Sequence, residues 1–184
     1  MTIPKLTILK TEDNPETYIK QRFSIELDME YPEDRIVGID PGTVHLGIAS
    51  IYPKNDINPN GFVSLLEMNI PRPPRTQDRI RIIWYILNDY NLSSRIDKLI
   101  IEGASYADRY RQIELQDIRA GGISWMMKQY RNYEADIIPP LTIRKTVFGS
   151  AKIKNPWEEQ GIPNNAAAAL ACALYPIMKE RNEK

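Results

Sequence analysis

Residues 35–53 read RIVGIDPGTVHLGIASIYP, two apolar segments separated by a short polar turn. The segments at 35–40 and 45–53 are short and rich in β-branched side chains, which predicts two strands, the first of them buried. The Asp-Pro-Gly-Thr between them is typical of a tight turn. Asp40 closes the first strand, and two interpretations stay open for it. It is either a turn residue or a carboxylate at the carboxyl end of a strand, where α/β proteins place their sites.

The sequence on either side of this pair alternates between strand and helix patterns. Further strands are predicted over 61–70, 97–103 and 135–140. Helices are predicted over 76–90, over 108–130 (broken or closely packed at Gly121-Gly122), over 142–149 and from the asparagines at 164–165 onward. This order predicts an α/β protein with a mixed five-stranded sheet flanked by helices, the organisation of the ribonuclease H-like fold.

Residues 1–34 precede this pattern and are interpreted as an N-terminal extension to a main domain over 35–184. Within the extension, residues 24–31 (SIELDMEY) alternate strictly between apolar or small and acidic side chains, which is typical of a half-exposed strand. We expect this strand to lie at an edge of the sheet. The extension carries a net charge of −4 and the main domain +4, a balance that permits a nucleic-acid partner without requiring one.

The composition limits the class of protein and its compartment. The chain has 184 residues, of which 42% are hydrophobic and 26% charged, and this predicts a folded domain rather than a disordered chain. No apolar run approaches the roughly 20 residues that span a bilayer, so no membrane is expected as a partner. With no secretory signal pattern and a single cysteine, Cys172, a cytoplasmic or other reducing compartment is predicted, and secretion is not.

Three further positions are candidates for chemistry. Glu102 follows an apolar run at the end of a predicted strand, and a buried carboxylate is costly unless it is paired or bound to metal. The alternative is a glutamate that reaches solvent at the strand tip. Asn165 and Ala168 share one face of the last helix, where the alternatives are N-capping by Asn164 or Asn165 and close packing of alanines on a sheet. The one histidine, His45, lies on a predicted core strand and is interpreted as structural, which argues against Ser-His or Cys-His catalysis.

Motifs spread over about residues 35–176 resemble, in their order, those of the RuvC-type Holliday junction resolvases. They are IDPGT (39–43), IE (101–102), DIRAGGISWMM (117–127), TIRKTVFGSAKIK (142–154) and NAAAALA (165–171). Each motif is short, and the signal lies in their combination and order. The resemblance implies a nuclease domain of the ribonuclease H-like fold that resolves four-way DNA junctions by metal-dependent phosphodiester hydrolysis.

The last motif departs from the family, whose helix reads D-A-A-D-A-L-A. The resemblance implies two Mg²⁺ or Mn²⁺ ions per active site, with Asp40, Glu102 and Asn165 as ligands and position 168 completing the catalytic set. Ala168 has no donor atom, so we expect the chain to be inactive or weakly active. Two explanations stay open: a natural branched-DNA-binding protein that does not cut, and an enzyme whose aspartate has been replaced by engineering. The second is favoured, because Ala168→Asp alone nearly restores the family's helix.

The resemblance also implies a homodimer bound to a two-fold-symmetric four-way junction, in a compartment that contains DNA. Residues 144–154 contain no acid, so their basic side chains are candidates for phosphate contacts: Arg144, Lys145, Lys152 and Lys154. Tyr106 lies near the family's aromatic wedge, and Arg109 and Arg119 follow it on the predicted helix. The alternatives are a solvated basic loop and a packed tyrosine.

Other functions compete with this interpretation. GIDPGT also resembles the first phosphate loop of actin-like ATPases, but such enzymes need a second lobe and a second glycine-rich loop, for which 184 residues leave little room. Nucleases for other branched DNA and purely structural interaction proteins also stay open. Assays with three-way, flap and linear DNA separate the nucleases, whereas an interaction protein would bind no DNA.

Overall fold

The computed structural model describes residues 3–13, 19–42, 45–55, 59, 61–69, 81, 96–104 and 110–184. Within these ranges the strands are β1 (Leu6–Asp13), β2 (Ile19–Leu27), β3 (Ile36–Asp40), β4 (His45–Tyr52), β5 (Phe62–Asn69), β6 (Lys98–Glu102) and β7 (Ala135–Ile138). The helices are α1 (Tyr110–Arg131), α2 (Pro140–Phe148) and α3 (Asn164–Asn182), with a short 3₁₀ helix at Glu158–Gln160. The helix predicted over 76–90 lies outside the described residues apart from Arg81, which is helical.

All of these strands belong to one mixed sheet, in the order β1-β2-β5-β4-β3-β6-β7. Strand β3 pairs antiparallel with β4 and parallel with β6, and β7 continues the parallel part. The five predicted strands are β3 to β7, so the predicted α/β class with a mixed sheet is confirmed. The N-terminal extension adds two strands instead of the one expected. The predicted edge strand corresponds to β2, which pairs antiparallel with β1 on one side and with β5 on the other, so its predicted edge position is wrong and β1 forms the edge.

The second strand of the extension differs in its bounds from the prediction over 24–31. It begins earlier, at Ile19, and ends at Leu27. The chain turns there because the Tyr31 side chain folds back, and its hydroxyl accepts a hydrogen bond of 2.9 Å from the Leu27 backbone N–H. The alternation in the sequence therefore extends beyond the strand. Tyr31 is still buried, but by the turn and not by extended backbone.

Side chains alternate between the two faces of the sheet, and each face has its own apolar cluster. One cluster joins α2 and α3 to strand residues that include Ile36, Ala49, Val63, Leu65 and Ile100. The other joins α1 to residues that include Val37, Ile39, Ile48, Leu66 and Ile101. Because the period of a strand is two, the side chains of Asp40, His45, Glu67 and Glu102 lie on the α3 face.

Helix α3 rests directly on the backbone of the two central strands. A Cβ added to Gly38 on β3 would collide with the Ala169 carbonyl oxygen, and one added to Gly47 on β4 would collide with the Asn165 carbonyl oxygen. The helix contributes alanines to the same contact, among them Ala166, Ala169 and Ala173, all fully buried. Small residues on both elements thus bring helix and sheet closer than larger side chains would allow, as the close-packing interpretation of these alanines predicts.

The other described helices are regular. Helix α1 is continuous through its glycine pair, and a Cβ on Gly121 would meet nothing within 4 Å, so the predicted break or close contact is wrong at that residue. Helix α2 begins at Pro140 and ends at Gly149, which has the left-handed conformation (φ 73°) as expected for a C-terminal glycine. In the described part of the chain, no helix is long and apolar enough to cross a membrane.

We expect Gly38→Ala to destabilise the protein because the new methyl group would push α3 off the sheet. The free energy of unfolding should fall by at least about 2 kcal/mol, which in a chain of this size lowers the melting temperature by roughly 4–8 °C. Gly121→Ala is the matched control, since its methyl group meets open space and should add about 0.5–1 kcal/mol of helix stability. Urea unfolding of the three proteins measures both effects, and equal stabilities for Gly38→Ala and the parent would contradict the close contact.

Candidate active site

The strand register places three acids in one row at the end of the sheet where α3 begins. Asp40 pairs with Gly47, and Gly47 pairs with Glu67 on the next strand. Ile39 pairs with Ile101 in the parallel ladder, so Glu102 follows beside Asp40. The row therefore runs Glu67, Gly47, Asp40, Glu102 across four neighbouring strands, with the first turn of α3 lying on Gly47.

Asp40 and Glu102 form a buried carboxyl pair. They are 6% and 7% exposed, so the alternative in which Glu102 reaches solvent at the strand tip is wrong. Burial, followed by repulsion from Glu102, raises the pKa of Asp40 well above its ordinary value. Burial also raises the pKa of Glu102, while Asp40 and Arg144 partly offset that shift. One Nη of Arg144, on α2, lies 3.9 Å from Glu102 Oε1.

The pair is suited to a divalent cation. Two buried carboxyl groups that repel one another are stabilised in their charged form by a cation between them, and carboxylate oxygens are the ligands that Mg²⁺ prefers. Among the residues that the structure describes, no group of three or more His, Cys, Asp or Glu is arranged to hold a metal ion. Asp40 and Glu102 thus offer two carboxylates, the number with which proteins commonly hold Mg²⁺ when phosphate and water supply the other ligands.

The capping interpretation of Asn164 and Asn165 is wrong, because neither side chain caps helix α3. The residue before the helix is Pro163, and no side chain caps the helix from that position. Asn164 Oδ1 instead accepts a hydrogen bond of 3.2 Å from Asn155, and Asn165 Nδ2 donates one of 3.2 Å to Glu67 Oε1. Both side chains are drawn to partners outside their own helix, and this leaves the first backbone N–H groups to other acceptors.

Ala168 lies on the face of α3 that looks toward the carboxyl pair. Cys172, one turn further along, contacts the β3 backbone through a hydrogen bond of 3.8 Å from its thiol to the Ile39 carbonyl. Burial raises the pKa of the Cys172 thiol well above its ordinary value, and the charges of Glu102 and Asp40 add to the effect. Since residues four apart share a face, Ala168 lies one turn nearer the row of acids.

Glu67 is a site residue that the sequence reasoning missed. It is 2% exposed, and its Oε2 accepts a hydrogen bond of 3.2 Å from the Ala166 backbone N–H. Burial raises its pKa, and hydrogen bonding by Asn165 is the largest opposing effect. A signal was present in the sequence, because Glu67 continues the alternation of Val63 and Leu65 in a predicted strand and so falls on a buried face.

The predicted DNA-contacting residues are placed unevenly. Arg144 is beside the carboxyl pair, whereas Lys145, Lys152 and Lys154 are exposed on α2 and the loop that follows it. Arg119 is 4% exposed on α1, inside the protein rather than on its surface. Tyr106 and Arg109 lie outside the described residues. His45 is half-buried, with Nδ1 3.7 Å from Glu67 Oε1.

Comparison of the whole structure shows a known fold. It is similar to Thermus thermophilus RuvC with a TM-score of 0.58 and 18% sequence identity, over 81% of this chain and 96% of that one. It is similar to T. thermophilus RuvC in complex with a Holliday junction substrate with a TM-score of 0.60 and 17% identity, over 82% and 96% of the two chains. No protein-family model and no curated protein matches the sequence. The predicted ribonuclease H-like fold is therefore confirmed, because this chain has the same fold as RuvC.

We expect Asp40→Asn to stabilise the metal-free protein at neutral and alkaline pH. The folded-state pKa of Asp40 lies above the unfolded value of about 4. Protonated Asp40 therefore stabilises the folded protein fully below that pH, and this contribution to the free energy of unfolding is lost as the pH rises through the folded-state pKa. Asparagine does not ionise and escapes this loss. The variant should melt about 2–4 °C or more above the parent at pH 8, equivalent to about 1 kcal/mol, and the difference should vanish toward pH 4.

Thermal melts in a chelator between pH 4 and pH 8 measure this difference. Asp136→Asn is the matched control, because Asp136 is exposed on β7. If the parent and Asp40→Asn were equally stable at pH 8, the prediction that ionised Asp40 destabilises the folded protein would be contradicted.

Proposed function

We propose that the protein acts on branched DNA as a metal-dependent endonuclease of the RuvC type, with the four-way junction as its substrate. We also propose that the chain is impaired in catalysis because Ala168 supplies no ligand. The buried Asp40–Glu102 pair is the observation that carries the proposal, since it places two carboxylates side by side at the end of the sheet where α3 begins. The fold shared with RuvC, whose complex contains a Holliday junction, supports the choice of substrate.

Asp40 and Glu102 would hold the divalent cation, Mg²⁺ or Mn²⁺, with the carbonyl oxygen of Asn165 as a further donor. When bound, such ions polarise the scissile phosphate and lower the pKa of the attacking water. The chain's own contribution is to bury the carboxylates, to fix their spacing through adjacent strands and to keep Arg144 beside them. The Arg144 guanidinium, 3.9 Å from Glu102, would bind a phosphate oxygen of the DNA at the same edge.

The DNA surface in this proposal extends from Arg144 to the exposed lysines that follow it: Lys145, Lys152 and Lys154. Contacts of this kind neutralise phosphates and make affinity fall with salt concentration. A homodimer would set two such surfaces on the two symmetric strands of a junction. Tyr106 and Arg109 stay predictions as additional DNA contacts, whereas the buried Arg119 does not reach the surface of the protein.

A second candidate function is a natural junction-binding protein that does not cut. The absence of a donor atom at position 168 favours it, because a two-ion site built only on Asp40, Glu102 and an amide carries fewer negative charges than two divalent cations require. The engineered replacement of an aspartate accounts for the same observation. The two differ in what happens when the acid is restored.

We expect Ala168→Asp to produce paired, symmetric cuts in a four-way junction with Mg²⁺ or Mn²⁺. The parent should bind the junction and cut it at least about a hundredfold more slowly, since an active-site metal contributes several kcal/mol and each 1.36 kcal/mol is a factor of ten in rate. Single-turnover cleavage of a labelled junction measures the rates, and a gel-shift assay measures binding.

Three control substrates and one control variant complete this experiment. Three-way, flap and linear DNA separate junction selectivity from general affinity for branched DNA. Ala168→Asp combined with Glu102→Gln should bind but not cut. If Ala168→Asp binds tightly and still makes no cuts, the non-cutting interpretation is correct, and if neither protein binds any branched DNA, the proposed function is wrong.

We also expect Mn²⁺ to raise the melting temperature of the protein through the carboxyl pair. A ligand at one hundred times its Kd contributes about 2.7 kcal/mol to the folded state. The shift should be larger for Ala168→Asp and absent for Glu102→Gln, whereas the surface variant Asp136→Asn should keep the parent's shift. An undiminished shift in Glu102→Gln would place the ion elsewhere.

A further inference from the structure

Glu67 makes two hydrogen bonds that connect strand β5 to the first turn of α3. Its Oε2 accepts from the Ala166 backbone N–H at 3.2 Å, which satisfies one of the N–H groups that a helix leaves free at its start. Its Oε1 accepts from the Asn165 side-chain Nδ2, also at 3.2 Å. The carboxylate is 2% exposed, so water competes little for these donors.

The second of these hydrogen bonds fixes how the Asn165 amide is turned. Both side-chain oxygens of Glu67 accept hydrogen bonds, so Glu67 faces the nitrogen of the Asn165 amide and the carbonyl oxygen is turned away from it. That oxygen lies toward the turn that follows Asp40, because a Cβ built on Gly42 would be 3.5 Å from Asn165 Oδ1. The amide is therefore oriented with its oxygen toward the turn that follows Asp40.

We propose that Glu67 is a positioning residue of the metal centre, which holds the Asn165 amide so that its carbonyl oxygen is presented beside Asp40. The inference rests on the proposed function and adds to it a residue outside the motifs that resemble the RuvC family. In that arrangement the Glu67 carboxyl group, on β5, does not contact the ion. It would act on the ion through the Asn165 amide.

A helix-capping role alone does not account for both contacts. Capping α3 needs one acceptor at the Ala166 N–H, and a carboxylate there is stabilised by the helix dipole. The additional contact uses the half-buried side chain of Asn165 in the first turn of the helix, close to the turn that follows Asp40. Partners of metal ligands that set their orientation typically change metal affinity 10- to 100-fold when they are removed.

The test is a set of four variants of the full chain, each measured for Mn²⁺ affinity by calorimetry and for melting temperature in a chelator. Glu67→Gln replaces one acceptor oxygen with an amide group, so it should weaken Mn²⁺ binding about tenfold or more. Asn165→Asp alone opposes two buried carboxylates and should lower the melting temperature. The double variant Glu67→Gln/Asn165→Asp reverses the donor and acceptor, so it should recover the melting temperature and bind Mn²⁺ at least as tightly as the parent. Glu159→Gln, at an exposed position, should change neither quantity.

The outcomes separate this inference from the proposed function. The set is made in the parent and in the Ala168→Asp background, so that a weak site in the parent does not hide the effect. If Glu67→Gln lowers the melting temperature but leaves the Mn²⁺ Kd within twofold, Glu67 only caps the helix and the positioning role is wrong. If Mn²⁺ binds neither the parent nor Ala168→Asp, the metal-dependent function fails and the inference fails with it. Mn²⁺ binding that is weakened about tenfold in Glu67→Gln and recovered in the double variant supports the positioning role.

Discussion

The structure depends on the contact between helix α3 and the backbone of the two central strands. Gly38 and Gly47 leave no room for a Cβ, because carbonyl oxygens of α3 occupy that space. The contact fixes the distance between the helix and the sheet. It also sets the first turn of the helix over Gly47, which pairs with Asp40. A side chain from the first turn of α3 therefore reaches the strand-end acids without any long loop to place it, and rigid elements hold such geometry more closely than loops do.

The same close contact decides the electrostatics of the row of acids. The helix and the sheet exclude water from Asp40, Glu102 and Glu67, and burial is the largest cause of the raised pKa of each. Glu102 faces the Arg144 guanidinium, and Glu67 faces the amide groups at the start of α3. A site of this kind keeps unfavourable charges in place, as functional sites commonly do, and a bound cation would relieve them.

The sequence predicts the core of this arrangement because its signals are local. Strand patterns with β-branched residues located β3 and β6, and the acids at their ends followed from those bounds. The capping alternative for Asn164 and Asn165 is not realised because their hydrogen-bond partners, Asn155 and Glu67, lie outside helix α3. Glu67 was missed for a related reason, since its role depends on the antiparallel register of β4 and β5, which hydrophobic alternation does not specify across strands.

Packing does not account for the alanine at position 168. Ala166, Ala167, Ala169 and Ala173 are fully buried against the sheet, where a larger side chain would force α3 outward. Ala168 is only partly buried and lies on the side of the acid pair, so the constraint that selects its neighbours is weaker there. An aspartate at 168 would extend toward Asp40 and Glu102 and bring a third carboxylate within the reach of one helical turn. Without a cation it would add repulsion to a buried pair, and with one it would add a ligand. The gain in metal affinity from Ala168→Asp and its cost in stability without metal should therefore appear together.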